Sequence, residues 1–317
     1  MPPTLQNIAI ARHDTFHIRD GWLLKGLHAI RRDRFALSMP DAHHDLGVGK
    51  NMASAIRYWV QATGLAAPAG PRASGRVPLE WTRSAEFVVQ FDQFLEDIAT
   101  LWLLHIELAS AADMATFWYW AFNEYEETTF GEEDLVLGFL KWVASITADT
   151  PNENSVKKDA AVFVRTYRTP GRTFSRILDD PLDCPLGALR LVRGSESVKP
   201  YSFTIGAKSN LPLHIVAHSV LRYRQFAKPG IEAISVDELR WAQGGPGRLL
   251  LLDARSLTEA LEQIEEMSKG GWLRVHQTAG LRNVHIAEVD AFDPLKQYYE
   301  GHDADARLLI PRSITRN

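Results

Sequence analysis

The segment Asp41 to Leu65, DAHHDLGVGKNMASAIRYWVQATGL, divides into two helices around a pair of glycines. Gly47 and Gly49 flank Val48 after a short helix ending near Leu46, and glycine tolerates the backbone angles that such a turn requires. In the second helix Met52, Ile56, Trp59, Val60 and Thr63 recur with the 3.6-residue period and form one buried stripe. Lys50, Asn51, Ser54, Arg57, Tyr58 and Gln61 take the opposite face, and Gly64 supplies a left-handed stop. Lysine and arginine meet phosphates or guanine, while asparagine and glutamine pair with adenine in the major groove, so this face has the chemistry of a DNA recognition helix. The alternative is an ordinary helix face that touches only water.

The flanking sequence favours DNA. Arg72, Arg76 and the alternating run Val77 to Trp81 read as the basic hairpin of a winged helix, with Pro78 confining the run to an edge strand. Arg31, Arg32 and Arg34 add a basic cluster upstream, and Arg19 and Lys25 extend it. The string GVGKN is not a P-loop, because one residue separates the glycines and asparagine follows Lys50.

Charge is unevenly spread along the 317 residues, whose formal net charge is -4. Residues 1–79 hold ten Lys and Arg against five Asp and Glu, whereas residues 80–153 hold two against fifteen. A DNA footprint is a local basic surface, so the outer parts of the chain qualify and the middle does not. No apolar run reaches the length of a membrane span, and the N-terminus lacks the layout of a signal peptide. The single cysteine, Cys184, excludes an internal disulfide, and a cytoplasmic location is expected.

The expected fold class is mainly α (α+β), in three parts. Residues 1–84 form a winged helix-turn-helix. Residues 85–150 form an acidic, aromatic-rich helical bundle with helices at Phe91 to Leu108, Ala115 to Phe122 and Glu132 to Ile146. Residues 151–317 form an α+β part, with helices at Val156 to Tyr167, Asn210 to Phe226, Ser235 to Trp241 and Ser256 to Lys269. Strands are expected at Tyr201 to Ile205, Leu249 to Leu252, Trp272 to Gln277 and Arg282 to Ala287, with an acidic loop at Asp179 to Pro185. The last helix and hairpin repeat the order of the N-terminal reader as a candidate second winged helix. Its exposed helix face carries Glu259, Glu262, Glu265 and Glu266, which repel phosphate, so packing, dimerisation or protein contact is its expected role. Only Arg274, His276 and Arg282 there suit DNA.

HDTFHIRDGWLLKG, LGVGKNMASAIRYW, FLEDIATLWLLHIELA, FWYWAFNEY, DDPLDCPLGALRLV and PLKQYY run in this order along nearly the whole chain. Together they resemble the SspB family of the bacterial Ssp DNA phosphorothioation system, a family often described only as a domain of unknown function. The resemblance implies a protein that binds double-stranded DNA and nicks one strand, so that partners exchange a phosphate oxygen for sulfur. The implied partners are a cysteine desulfurase, an ATPase and a sulfur transferase, and the modification marks self DNA for anti-phage defence. Where the family pattern has a glutamate after the first histidine, this chain has Asp14.

Hydrolysis of a phosphodiester needs an activated oxygen nucleophile and cationic stabilisation, usually from magnesium or manganese held by carboxylates. No nuclease signature is present, so the candidates are scattered. His13 and Asp14, beside Arg19 and Lys25, are one set, with a capped turn and salt bridges as the alternative. Glu96, Asp97 and His105 are the second, although an eight-residue spacing separates Asp97 from His105 by about 12 Å on a helix, and LWLLHIEL also reads as core. His214 and His218 have metal-pair spacing without the glutamate of H-E-x-x-H. Two further functions stay open: a non-catalytic adaptor that recruits the sulfur-transfer enzymes, and a transcriptional regulator.

Overall fold

The computed structural model describes residues 7–71, 75–148, 150–168, 184–195, 198–278 and 281–308. After an extended N-terminal stretch come α1 (Trp22–Arg32), α2 (Ala42–Leu46) and α3 (Lys50–Ala62). The one face of α1 that carries Trp22, Leu23, Leu27 and Ile30 is buried. Gly26 lets α1 lie directly on α3, since a Cβ there would stand 2.5 Å from Cγ1 of Val60. A short hairpin follows, β1 (Ala66–Pro68) antiparallel to β2 (Leu79–Trp81), with Ala66 opposite Trp81.

The middle of the chain is helical, with α4 (Arg83–Phe91), α5 (Ile98–Ser110), α6 (Thr116–Asn123), α7 (Glu132–Ile146) and α8 (Glu153–Tyr167). The single helix expected from Phe91 is instead two. Leu95 takes a left-handed φ of 58°, and Asp97 caps α5 by accepting from the Ala99 N–H at 2.7 Å. Asp92 holds the turn by accepting from the N–H groups of Glu96 and Asp97. Helical spacing in the sequence continues across this break because Leu95 is buried there as firmly as a helix residue.

The C-terminal part adds β4 (Val192–Ser195), β5 (Val198–Phe203), α9 (Leu213–Ala227), β6 (Ala233–Ser235), α10 (Val236–Trp241), α11 (Pro246–Leu249), α12 (Ala254–Met267), β7 (Leu273–Thr278), β8 (Leu281–Ile286) and α13 (Asp293–Leu308). The linker before α7 supplies β3 (Thr129–Phe130), which completes a sheet of order β3-β5-β4. A second three-stranded sheet has the order β6-β8-β7. The strand expected at Leu249 to Leu252 is a correction: Pro246 starts the one-turn α11, and Leu251 turns at φ 50°. Leu249 and Leu250 are apolar because they are core, not because they pair. The architecture is mainly helical with small antiparallel sheets, an α+β class. No described helix is long and apolar enough to cross a membrane.

Three buried histidines stitch these elements together. His13 in the N-terminal stretch is wholly buried, its Nε2 2.6 Å from Oδ1 of Asp159 on α8. The Thr15 N–H donates to His13 Nδ1 at 3.2 Å, so the His13 proton sits on Nε2 and is donated to Asp159. The imidazole stacks on Trp59 of α3 and meets Trp118 of α6 edge-on. Burial raises the Asp159 carboxyl above its ordinary range, partly offset by His13. On α5, His105 Nε2 donates to the Leu249 carbonyl at 2.7 Å, which leaves Nδ1 to accept from the Tyr167 hydroxyl at 2.9 Å. On α9, His218 Nδ1 donates to the Ala291 carbonyl at 2.7 Å.

Removing His13 leaves the buried Asp159 carboxylate without its imidazole donor, and an uncompensated buried charge costs about 3–5 kcal/mol. His13→Ala should lose that much in urea denaturation, and a loss below about 1 kcal/mol would show that the pair is dispensable. Burial also lowers both His105 and His218 to about 4. In the unfolded chain they titrate near about 6.5, so the unfolded state binds more protons between these values and stability falls as pH drops from about 6.5 towards 4. His105→Gln, which can keep both hydrogen bonds, should flatten that fall; an unchanged slope would refute the assignment.

Candidate nucleic-acid interface

The turn between α2 and α3 forms as the glycines require. Gly47 takes φ 64°, and its N–H and that of Val48 return to the carbonyls of His44 and His43 at 3.1 and 3.0 Å. Gly49 then opens α3 without a capping side chain, and the first turn of α3 contains no acid. The amide donors at that end point outward with Lys50, which makes a ready anion site.

Lys50, Asn51 and Ser54 are exposed, and Arg57 and Gln61 are half-buried. The Gln61 Nε2 donates to the Arg57 carbonyl at 2.8 Å, so its amide is already engaged. Tyr58 corrects the expected polar face, because it is buried and its ring meets His13 and Trp59 edge-on. Burial raises its hydroxyl well above the ordinary range. The outward ridge therefore runs from Lys50 to Arg57 along one side, while Ile56, Trp59, Val60 and Thr63 are core as expected.

The basic residues around the ridge are mostly occupied. Arg32 pairs with Asp45 at 3.4 Å and Arg34 with Glu80 at 2.9 Å, while Arg31 lies 5.0 Å from the Trp81 ring. These side chains line a groove of about 920 Å³ between α1, β2 and α4. Lys25 donates to the Leu46 carbonyl at the end of α2. Arg19 packs its guanidinium between Phe16 and Trp22, 5.3 and 5.2 Å from their centroids. Arg76 is half-buried ahead of β2, and Arg72 lies outside the described residues.

The candidate catalytic residues find separate partners. His13 turns inward to Asp159 and not to Asp14, which is exposed at φ 48°, a left-handed conformation that a short acid tolerates. Asp97 is the cap of α5, Glu96 is exposed beside it, and His105 is sealed between Tyr167 and Leu249. His13 and His105 are thus both core hydrogen-bonding groups, which for His105 is the core reading that LWLLHIEL offered. His218 is buried against Ala291 and Phe292, whereas His214 lies by Tyr298, so they do not form a metal pair. Among the described residues no three His, Cys, Asp or Glu side chains converge as a cation cage. Cys184 is buried, and the acids of the preceding loop, Asp179, Asp180 and Asp183, lie outside the described residues.

The C-terminal hairpin is longer than the N-terminal one and gains β6 as a third strand, which sequence reading missed because three residues show no periodicity. Arg274 stands opposite His285 and His276 opposite Asn283, and Arg274, His276, Arg282 and His285 are exposed.

A family model described as a protein of unknown function, DUF4007, matches residues 10–299. One similar solved structure is described as an SspB crystal structure. It is 28% identical with a TM-score of 0.83, and the match covers 93% of this chain and 88% of that one. Another, described as a magnesium ion-bound SspB crystal structure, is 28% identical with a TM-score of 0.84, covering 95% of this chain and 91% of that one. No curated protein matches the chain. The fold and the aligned length agree with the sequence motifs: the structure is SspB-like, and the chain belongs to the DUF4007 family.

Proposed function

We propose that this chain is the DNA-binding component of a bacterial DNA phosphorothioation system and that the N-terminal end of α3 grips the duplex. The observation that carries the reading is the uncapped, acid-free first turn of α3, which presents Lys50, Asn51 and Ser54 to solvent. Backbone amides and Lys50 suit a phosphate, and Asn51 suits a base edge in the major groove. Similarity to the SspB structures supplies the pathway. The sulfur-transfer and ATPase proteins of that pathway are the proposed partners.

Strand nicking is the second half of the proposal, and the similarity to a magnesium-bound SspB supports it. The acids still accessible for it are Asp14 and Glu96, with Asp97 half-buried. Among the described residues no three His, Cys, Asp or Glu side chains converge, so a magnesium ion would be held by one or two carboxylates with water and the DNA phosphate as its other ligands. An adaptor that recruits the sulfur-transfer enzymes requires only the α3 surface.

Lys50→Ala and Arg57→Ala should each weaken duplex binding and lower the slope of log affinity against log salt by about one, read by fluorescence anisotropy. Unchanged affinity and slope in both variants would remove the recognition-helix assignment. With supercoiled plasmid and magnesium, the full chain should yield open circles that EDTA abolishes and that Glu96→Gln or Asp14→Asn reduces without loss of binding. Retained binding with no open circles in magnesium or manganese would leave the adaptor.

A further inference from the structure

A cleft of about 690 Å³ opens between α6, α9 and the turn joining α10 to α11, far in sequence from α3. Its volume lies within the roughly 300–1,000 Å³ usual for small-ligand pockets. Four tryptophans, Trp59, Trp102, Trp118 and Trp120, are fully inside the core. At the cleft the pattern reverses, for Phe226 is 72% and Trp241 54% exposed.

Cations surround these two rings. The Arg222 guanidinium lies 5.7 Å from the Phe226 centroid, and those of Arg240 and Arg248 lie 4.3 and 5.2 Å from Trp241. Arg222 is fixed from behind, donating to Ser110 Oγ at 3.0 Å and to Glu107 at 3.3 Å. The nearby acids are engaged: Glu107 with Arg222, Glu238 with Lys228 at 2.8 Å and with the Tyr223 hydroxyl, and Glu124 with Gln243. Arg240 and Arg248, by contrast, make no salt bridge among the described residues, and Asp253 and Glu124 reach them only at longer range. On the lining, the Tyr119 hydroxyl donates to Gln243 Oε1 at 3.1 Å.

We infer that this cleft holds an unpaired base of a single DNA strand, stacked on Trp241 or Phe226 with its flanking phosphates at Arg240 and Arg248. Aromatic platforms beside unpaired guanidiniums are the combination that single strands use, since every base has a π-face and every linkage a negative charge. A duplex cannot supply the contact, because its base faces are hidden within the stack. A neutral apolar partner would leave the two arginines unanswered. The inference rests on the DNA reading above only for the source of the strand; the residues are different.

The test is titration of a single-stranded oligodeoxynucleotide carrying one 2-aminopurine with the full chain. Stacking should quench the probe, and Trp241→Ala and Phe226→Ala should each weaken binding about ten- to a hundredfold and restore its fluorescence. Trp241→Phe, which keeps an aromatic face, should retain most of the affinity. Both rings are exposed, so thermal midpoints of the alanine variants should match the parent, which separates lost binding from lost folding. Unaltered affinity and quenching in both alanine variants would overturn the inference. So would equally tight binding of a free deoxynucleoside monophosphate, or a dimer that Trp241→Ala dissociates while strand binding persists. Duplex affinity is measured alongside: a chain that binds no duplex yet quenches the probe through Trp241 would sink the α3 reading and leave this one standing.

Discussion

The buried contact between His13 and Asp159 decides where the helix-turn-helix stands relative to everything else. It joins a segment ahead of α1 to the middle of α8, across 146 positions of sequence, at a site from which water is excluded. In such surroundings the pair is strong only while both members are present, because a lone carboxylate there has lost its hydration without compensation. One oxygen of Asp159 accepts from both His13 and the Ala11 N–H, and the other has no partner among the described residues. The position is therefore held by few interactions, each hard to replace. Trp59 carries the constraint onward to α3, since its ring stacks on His13 and its Nε1 donates to the Phe16 carbonyl at 2.9 Å.

That anchoring limits what α3 can offer. With Ile56, Trp59, Val60 and Tyr58 all turned inward, the helix has spent most of its circumference on packing. The remaining ridge is narrow and rigidly backed, and a groove reader needs both properties, since the side chains that reach base edges must be held in register by the phosphate contacts around them. The arginines beside the ridge serve a different purpose. Arg32 and Arg34 tie α1 to α2 and to β2, so part of the basic count that sequence assigns to DNA is consumed in holding the unit together.

Sequence disclosed the elements whose periodicity is long and whose ends are marked. The turn at Gly47, the extent of α3 and the bounds of α7 follow from residues within one or two helical turns. Ser235 likewise caps α10, accepting from the Glu238 N–H at 3.0 Å, while the Glu238 side chain turns to Lys228 and Tyr223. What sequence could not disclose depends on partners far along the chain. Sequence sets Asp14 beside His13, yet the carboxylate that His13 meets is Asp159. Tyr58 fell on the polar side of the helical wheel and is buried because the N-terminal stretch lies over it. The strands β3 and β6 have two and three residues, too few to alternate, and exist only because β5 and β8 offer them an edge. The cleft with Phe226 and Trp241 was invisible for the same reason: its walls come from three distant segments.

The two surfaces share a frame. The Gly64 carbonyl at the end of α3 accepts from Thr82 Oγ1 at 2.5 Å, and Thr82 caps α4. On α4, Ser84 Oγ donates to Glu107 of α5 at 3.2 Å, and the other oxygen of Glu107 receives Arg222 of the cleft. Each contact is part-buried, so a chain of hydrogen bonds runs from the end of α3 to the back of the cleft through Thr82, Ser84 and Glu107. A duplex held at the ridge and a base held at the cleft would then be separated by a distance set by the protein, not by the DNA. Under the proposed function, a fixed offset between gripping a duplex and holding one strand apart is what would present a defined backbone position to other enzymes.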